Sequence, residues 1–350
     1  MDTVIARIDP SNPDPGMISR AGKIIRSGGL VAFPTETVYG LGANAFNAEA
    51  VLSVFTAKGR PADNPLIVHI YERSQLDEIC DIPPRAPALM DAFWPGPLTI
   101  LFPRKPVIPD VVTAGLSTVA VRMPSHPVAL SLLKTSGLPV AAPSANRSGR
   151  PSPTTAMHVM EDMKGIIPMI LDGGACEIGL ESTVLDLSNE KPVILRPGGI
   201  TKSMLEEVLH EEVLLAGSIL RPLQPDEKAL SPGMRYKHYA PAGNVTLVRG
   251  SETAVVSTLR LLCRQDLEAG RKSCVLCFTE HVPMLESCCP HDMGSIANHA
   301  EIAHRLFDIL RQLDQEGMET IYSEVIPPEG VGLAVMNRLG RAAAFRAIDV

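Results

Sequence analysis

The chain has 350 residues, 45% hydrophobic but only 4% aromatic, enough for two domains with largely aliphatic cores. Its formal charge of −7 argues against broad nonspecific binding to nucleic acid, while leaving room for a local basic pocket. No apolar run approaches the roughly 18 residues of a membrane span, and the opening Met-Asp-Thr-Val-Ile-Ala-Arg lacks the layout of a signal peptide, so a cytoplasmic location is expected.

In chain order, Ile18, Ile24 and Ile25 among polar residues predict an amphipathic helix over 15–27, closed by Gly28. Residues 30–33 are a short apolar run after a Gly-Gly pair and read as a buried strand that Pro34 ends. Thr35, Glu36 and Thr37 then set hydroxyls and a carboxylate just past the strand end, where ligands sit in open α/β sheets. Val51, Leu52 and Phe55 share a helix face, with Asn47 as N-cap, Lys58 in the last turn and Gly59 as the stop. A proline-bounded loop holds Arg60, Asp63 and Asn64, and a strand over 66–70 carries His69.

Helices are expected over 84–93, 127–136, 154–164 and from 201 to about 210. Strands are expected over 98–102, 118–123, 139–142, 169–172, 183–187 and 193–196. In the strand over 118–123, Thr118, Ala120 and Arg122 fall on one face and Val119 and Val121 on the other. This mixture reads as one α/β domain over residues 1–210. Residues 211–244 form a proline-rich linker that also holds Arg235, Tyr236, Lys237, His238 and Tyr239, too many motif-like residues for a passive spacer. The expectation is a lid over the first domain. Strands at 245–248, 273–279 and 320–326 then alternate with helices at 252–268, 296–315 and from about 335, a smaller Rossmann-like parallel α/β domain over 245–350.

Several familiar sites are absent from the sequence. There is no G-x-x-x-x-G-K-[ST] and no G-x-S-x-G. Gly40-Leu-Gly-Ala-Asn-Ala fits the loose dinucleotide pattern, but the acid that should follow, Asp63, lies between two prolines rather than at a strand end. Cys274 and Cys277 make a Cys-x-x-Cys near Cys288, Cys289, His281 and His291; a buried strand with free thiols is favoured over zinc, and no protein-bound metal is expected. Taken singly, Lys58 could be a helix-end charge, Ser144 and Asn146 turn residues, His69 a core imidazole and Arg196 a surface residue. Taken together, cations and short hydroxyl or amide side chains at element ends suit a polyanion.

Pro-Thr-Glu-Thr-Val-Tyr-Gly-Leu from Pro34, Lys-Gly-Arg-Pro from Lys58 and Asn-Pro-Leu-Ile-Val-His from Asn64 resemble the signature of the YrdC-like family, the threonylcarbamoyl-AMP synthases. Trp-Pro-Gly-Pro-Leu-Thr from Trp94, Val-Ala-Val-Arg-Met-Pro from Val119, Ala-Pro-Ser-Ala-Asn from Ala142, Glu-Ser-Thr-Val from Glu181 and Leu-Arg-Pro-Gly from Leu195 extend it. Ser-Pro-Gly-Met-Arg-Tyr-Lys-His-Tyr-Ala-Pro from Ser231 resembles the two-domain branch.

The resemblance implies a YrdC-like domain with a twisted mixed sheet, acting as a nucleotidyltransferase. L-Threonine, bicarbonate (or CO2) and ATP, the last bringing Mg2+, would give threonylcarbamoyl-AMP and pyrophosphate. A separate tRNA threonylcarbamoyl-transferase complex would then modify an adenosine beside the anticodon. By the same resemblance Lys58, Arg60, Ser144 and Asn146 are the catalytic set at the triphosphate and carbamate. Thr37, His69, Arg122, Ala142 (through its backbone) and Ser182 would hold threonine. Asn64, Thr118, Ser152, Arg196 and Tyr236 would line the nucleotide together with Lys58, Arg60 and Ser144. Direct tRNA binding, and whether Arg147 and Arg150 meet ATP, RNA or solvent, stay open. The alternatives are a carbamoyl-transfer module, disfavoured because no acylphosphatase-like or zinc-finger segment precedes Met1, and a non-catalytic RNA-binding protein, disfavoured by the acidic charge.

Overall fold

Several of the short apolar runs become strands bounded by glycine or proline, as the computed structural model, which describes residues 2–222 and 239–350, shows. Tyr236 and the central part of the expected linker, 223–238, lie outside the described residues. The described residues divide into two compact units, the first made of residues up to Ser148 with Ser152–Ile219 and the second of the remainder.

The first unit is built on β1 (Val4–Arg7), β2 (Val31–Phe33), β3 (Gly40–Asn44), β4 (Ile67–His69), β5 (Leu98–Pro103), β6 (Thr118–Arg122), β7 (Val140–Ala142), β8 (Met169–Asp172), β9 (Thr183–Asp186), β10 (Val193–Arg196) and β11 (Leu214–Leu215). They form one mixed sheet in the order β1-β8-β2-β3-β7-β4-β6-β5-β9-β10-β11. Helices α1 (Pro15–Arg26) and α3 (Pro127–Ser136), which flank α2 (Ala48–Lys58) in sequence, cover one end of a sheet face. There Ile18, Ala21, Ile25, Val128, Leu132 and Leu133 pack on Val31, Phe33, Val140 and Leu171. Removing these side chains from water is the main stabilising term for that end of the sheet.

Helix α2 matters most to the site, and its ends explain why it stops where it does. The Asn47 side chain accepts from Ala50 N at 3.1 Å, and Gly59 takes a left-handed φ of 61°, which places Lys58 on the last turn. Strand β3 was not expected, because two glycines weaken any strand pattern. The glycines are required by packing. A Cβ on Gly42 would stand 2.7 Å from Val140 Cγ1 and 2.8 Å from Phe33 Cε1. The Gly-x-Gly pattern here is therefore a strand antiparallel to β2, not a turn leading into a phosphate-binding helix.

The second unit contains a five-stranded parallel sheet: β12 (Asn244–Arg249), β13 (Ser273–Cys277), β14 (Pro290–Asp292), β15 (Thr320–Ser323) and β16 (Ala347–Asp349), ordered β14-β13-β15-β12-β16. Leu259 and Cys263, from a helix over Glu252–Glu268, pack on Val248, Val275 and Cys277. Cys274 and Cys277, three apart on one strand, face opposite sides of the sheet and cannot share a ligand. Burial pushes the Cys277 thiol up to about 12 and raises that of Cys274 as well, so both stay protonated. The last helix, Val331–Ala342, begins earlier than its sequence pattern indicates.

Candidate active site

Strand register gathers the candidate residues onto one face of the mixed sheet. His69 lies opposite Arg122, and Ile67 opposite both Ala120 and Ala142. Leu101 lies opposite Ala120, Thr99 opposite Val184, and Arg196 opposite Val184. Directly opposed residues point to the same side. Thr118, two residues before Ala120, shares that side, as the alternation of β6 predicts. A bulge between Ile194 and Arg196 breaks the alternation of β10 and turns Arg196 to this face beside Leu195. Ile67, Leu101, Ala120, Val184 and Leu195 form a small apolar floor among these polar groups.

At the carboxyl ends of β4 and β6, Arg122 is buried and held on three sides. Its Nη1 donates to Thr37 Oγ1 at 2.8 Å and its Nε to the Gly96 carbonyl at 3.2 Å. Its Nη2 stands 2.7 Å from Glu36 Oε1, yet the approach is off-axis, so neither group gains a directed hydrogen bond from it. The Thr-Glu-Thr segment owes its shape to Thr35, whose Oγ1 accepts from the N–H groups of Thr37 and Val38, both at 3.2 Å. His69 packs edge-on against the Phe33 ring at 5.9 Å, and its buried Nδ1 has no hydrogen-bond partner. Burial, with the Arg122 charge second, depresses its pKa to about 3, so the imidazole is neutral.

The turn at Trp94–Pro97 joins this end to the next group. Gly96 receives Arg122 Nε, and the Pro97 carbonyl receives Thr183 N at 3.0 Å. Ser182 Oγ lies 2.7 Å from Thr99 Oγ1, and Arg196 donates to the carbonyl and Oγ of Ser182, both at 3.1 Å. Ser152 Oγ donates to Glu181 Oε1 at 2.5 Å. Gly198 lets the chain pass very close: a Cβ there would sit 2.4 Å from Thr183 N.

Lys58 is more enclosed than a helix-end charge, the reading its position alone allows. It is only 4% exposed. Its Nζ donates to the carbonyls of Ser144 and Asn146, both at 2.5 Å, and lies 3.3 Å from Asn146 Oδ1. The physical reason is the reach of α2, which delivers the ammonium into the turn after β7, and Ser144 Oγ closes the turn on Asn146 Oδ1 at 2.5 Å. Arg60, just past the helix, is half-buried: its guanidinium lies 5.6 Å from the centre of the Phe55 ring, and Nη2 donates to the Asn64 carbonyl at 3.1 Å. Continuing the β4–β6 register backward sets Pro65 opposite Thr118, so Asn64 and Thr118 lie at the far end of the face from His69 and Arg122. Four strand residues, about 13 Å, separate Thr118 from Arg122.

The structure thus joins Lys58 with Ser144 and Asn146, Thr37 with Arg122, and Ser182 with Arg196. Glu36, Thr99 and Glu181 were assigned no ligand by sequence, although all three sit inside quoted motifs. Arg147 is tied to a helix over Ala156–Met163, its Nε donating to the Asp162 carbonyl at 3.1 Å. Among the described residues no group of three or more His, Cys, Asp or Glu side chains could hold a metal ion, and no helix is long and apolar enough to cross a membrane.

Residues 23–198 match the Sua5_yciO_yrdC family model, described as telomere recombination, and residues 200–344 match a model described as threonylcarbamoyl-AMP synthase, C-terminal domain. The chain is 46% identical over 343 residues to a threonylcarbamoyl-AMP synthase of Bacillus subtilis, covering 97% of this chain and 96% of the relative. It is likewise 46% identical over 331 residues to a threonylcarbamoyl-AMP synthase of Pyrococcus abyssi, covering 94% and 95%. A crystal structure of P. abyssi Sua5 complexed with L-threonine superposes with a TM-score of 0.92 at 44% identity, covering 99% of each chain.

Proposed function

The chain belongs to the family of threonylcarbamoyl-AMP synthases, and from that premise we propose how its mixed-sheet site carries out the reaction. It is a nucleotidyltransferase that uses ATP as a substrate and joins it to threonine and bicarbonate (or CO2). The neutral threonine amine forms an N–C bond to the carbon of CO2, one C=O bond opens to a carboxylate oxygen and the amine releases a proton; starting from bicarbonate, a C–O bond also breaks and water leaves. A carbamate oxygen then bonds to the α-phosphorus, the bond from that phosphorus to the bridging oxygen breaks, and pyrophosphate leaves. Such a transfer needs positioning and cations that meet developing charge more than it needs a protein nucleophile.

One observation carries the reading of the site: beside Arg122 on the adjacent strand, His69 presents a buried Nδ1 without a hydrogen-bond partner, and Arg122 Nη2 meets the Glu36 carboxylate without a directed hydrogen bond. Buried polar atoms are rarely left so, and a bound carboxylate and hydroxyl would satisfy them. Arg122 offers its fork to the threonine carboxylate. Neutral His69 accepts from the threonine hydroxyl, while Thr37, Ser182 and the Ala142 backbone complete the pocket. Asn64, Thr118, Ser152 and Arg196 line the nucleotide across the apolar floor; Tyr236, given the same role by the resemblance, lies outside the described residues. Arg60 meets the phosphates. Lys58 fixes the Ser144–Asn146 turn, which lies beside the phosphates and carbamate.

Mg2+ would arrive with ATP, held mainly by phosphate and water oxygens. We further propose a cytoplasmic enzyme that passes its product to a tRNA threonylcarbamoyl-transferase complex. In this proposal residues 1–210 are catalytic, 211–244 connect, and 245–350 form the second domain. The test is pyrophosphate release, which should require threonine and bicarbonate together. Serine lacks one methyl, worth about 1–3 kcal/mol in a pocket, so it should substitute only weakly. Equal release without threonine would refute the proposal.

A further inference from the structure

We propose that Glu36 receives the α-amino group of the substrate, so that the site selects an amino acid in its zwitterionic form over the corresponding hydroxy acid. This rests on the placement of threonine at Arg122. Glu36 has the features of a carboxylate awaiting a ligand. Its side chain is 5% exposed, and neither oxygen takes part in a directed hydrogen bond. The nearest cation, Arg122, has turned Nη1 to Thr37 and Nε to Gly96, leaving Nη2 beside Glu36 at 2.7 Å but off-axis. An ion pair built only to hold the fold would align its N–H groups with the carboxylate. The other ionisable groups in the field of Glu36 are His126, whose imidazole is disfavoured from charging by burial, and Cys176, whose thiol burial keeps protonated.

Charge balance points the same way. Arg122 and Glu36 together sum to zero. A bound carboxylate alone would leave the buried site with one uncompensated negative charge, which is costly. A zwitterion keeps the sum at zero, its carboxylate toward Arg122 and its ammonium toward Glu36, with the two pairs of charges alternating. A hydroxy acid cannot do this.

The experiment is calorimetric titration, without ATP, of the wild type, Glu36→Gln and Glu36→Asp with L-threonine and with 2,3-dihydroxybutyrate, in which a hydroxyl replaces the amine. The wild type should prefer threonine. Glu36→Gln should weaken threonine by about 10- to 100-fold, the value of a charge-assisted hydrogen bond, and leave the hydroxy acid unchanged or tighter. Unchanged threonine affinity in Glu36→Gln, or equal losses for both ligands, would overturn the assignment. If Glu36→Gln does not fold, Glu36→Asp decides. Withdrawing the carboxylate by one methylene must cost threonine several-fold more than it costs the hydroxy acid, and equal costs overturn the proposal. A wild type that binds no threonine refutes the threonine site itself, and this assignment with it.

Discussion

His69 is held neutral before any substrate enters, and that has a measurable consequence for stability. Its folded-state pKa of about 3 lies below the ordinary value of 6.5. Between those values the unfolded chain carries a proton there that the folded chain does not, so stability rises with pH across the window and falls as pH drops from about 6.5 toward 3. One proton corresponds to about 1.4 kcal/mol per pH unit. Replacing His69 with Gln should lower that slope by about this amount in urea unfolding followed by the fluorescence of Trp94, the single tryptophan; an unchanged slope would place the imidazole in a solvated setting. Lys58 and Arg60 should also separate. Arg60→Ala should cut turnover by about two orders of magnitude or more with little change in the same unfolding curve, as loss of charge stabilisation does. Lys58→Ala should lose turnover and also about 1–3 kcal/mol of stability, since it strands buried carbonyl oxygens. Sequence motifs brought Lys58 and Arg60 forward as a pair. Their different burial was not legible, because it depends on where the end of α2 meets the turn after β7.

At the scale of elements, the loop after β10 is a close backbone crossing. A Cβ on Gly198 would meet Thr183 N at 2.4 Å, whereas one on Gly199 would meet nothing nearer than Ile178 Cδ1 at 3.5 Å. Gly198→Ala must therefore push Ser182, Thr183 and Arg196 apart, and a displacement of about 1 Å at a site can cost 100-fold in kcat/KM. Gly199→Ala, its internal control, should stay within about 3-fold. Comparable steady-state kinetics for the two variants would mean that the crossing tolerates a methyl group. Most elements were legible because their signals were local. The residues 127–136 and 169–172, expected as helix and strand, form as Pro127–Ser136 and Met169–Asp172, each bounded by proline, glycine or a charge. Strand β3 was hidden, since its glycines answer to side chains on the neighbouring strands, Phe33 and the sequence-distant Val140. The short outer strands Val4–Arg7, Pro290–Asp292 and Ala347–Asp349 were missed because three or four residues give periodicity too little length to work on. The bulge that turns Arg196 onto the site face is likewise a property of strand pairing, invisible in Val-Ile-Leu-Arg alone.

At the scale of the whole molecule, the two sheets differ in kind, mixed in the first unit and parallel in the second, as the alternation of elements after residue 245 indicates. What the chain order could not reveal is that β4, β6, β5, β9 and β10 lie side by side, which is how Ile67, Thr118, Thr99, Ser182 and Arg196 come to share one face. The central claim is that this face joins three substrates in one molecule. It is tested most directly by incubating the full chain with [13C]bicarbonate, L-threonine and ATP and analysing the nucleotide products by mass spectrometry. The account predicts a threonine-containing AMP adduct that carries one 13C from bicarbonate, formed in step with pyrophosphate. AMP and pyrophosphate without the adduct, or an adduct that lacks the label, would contradict it.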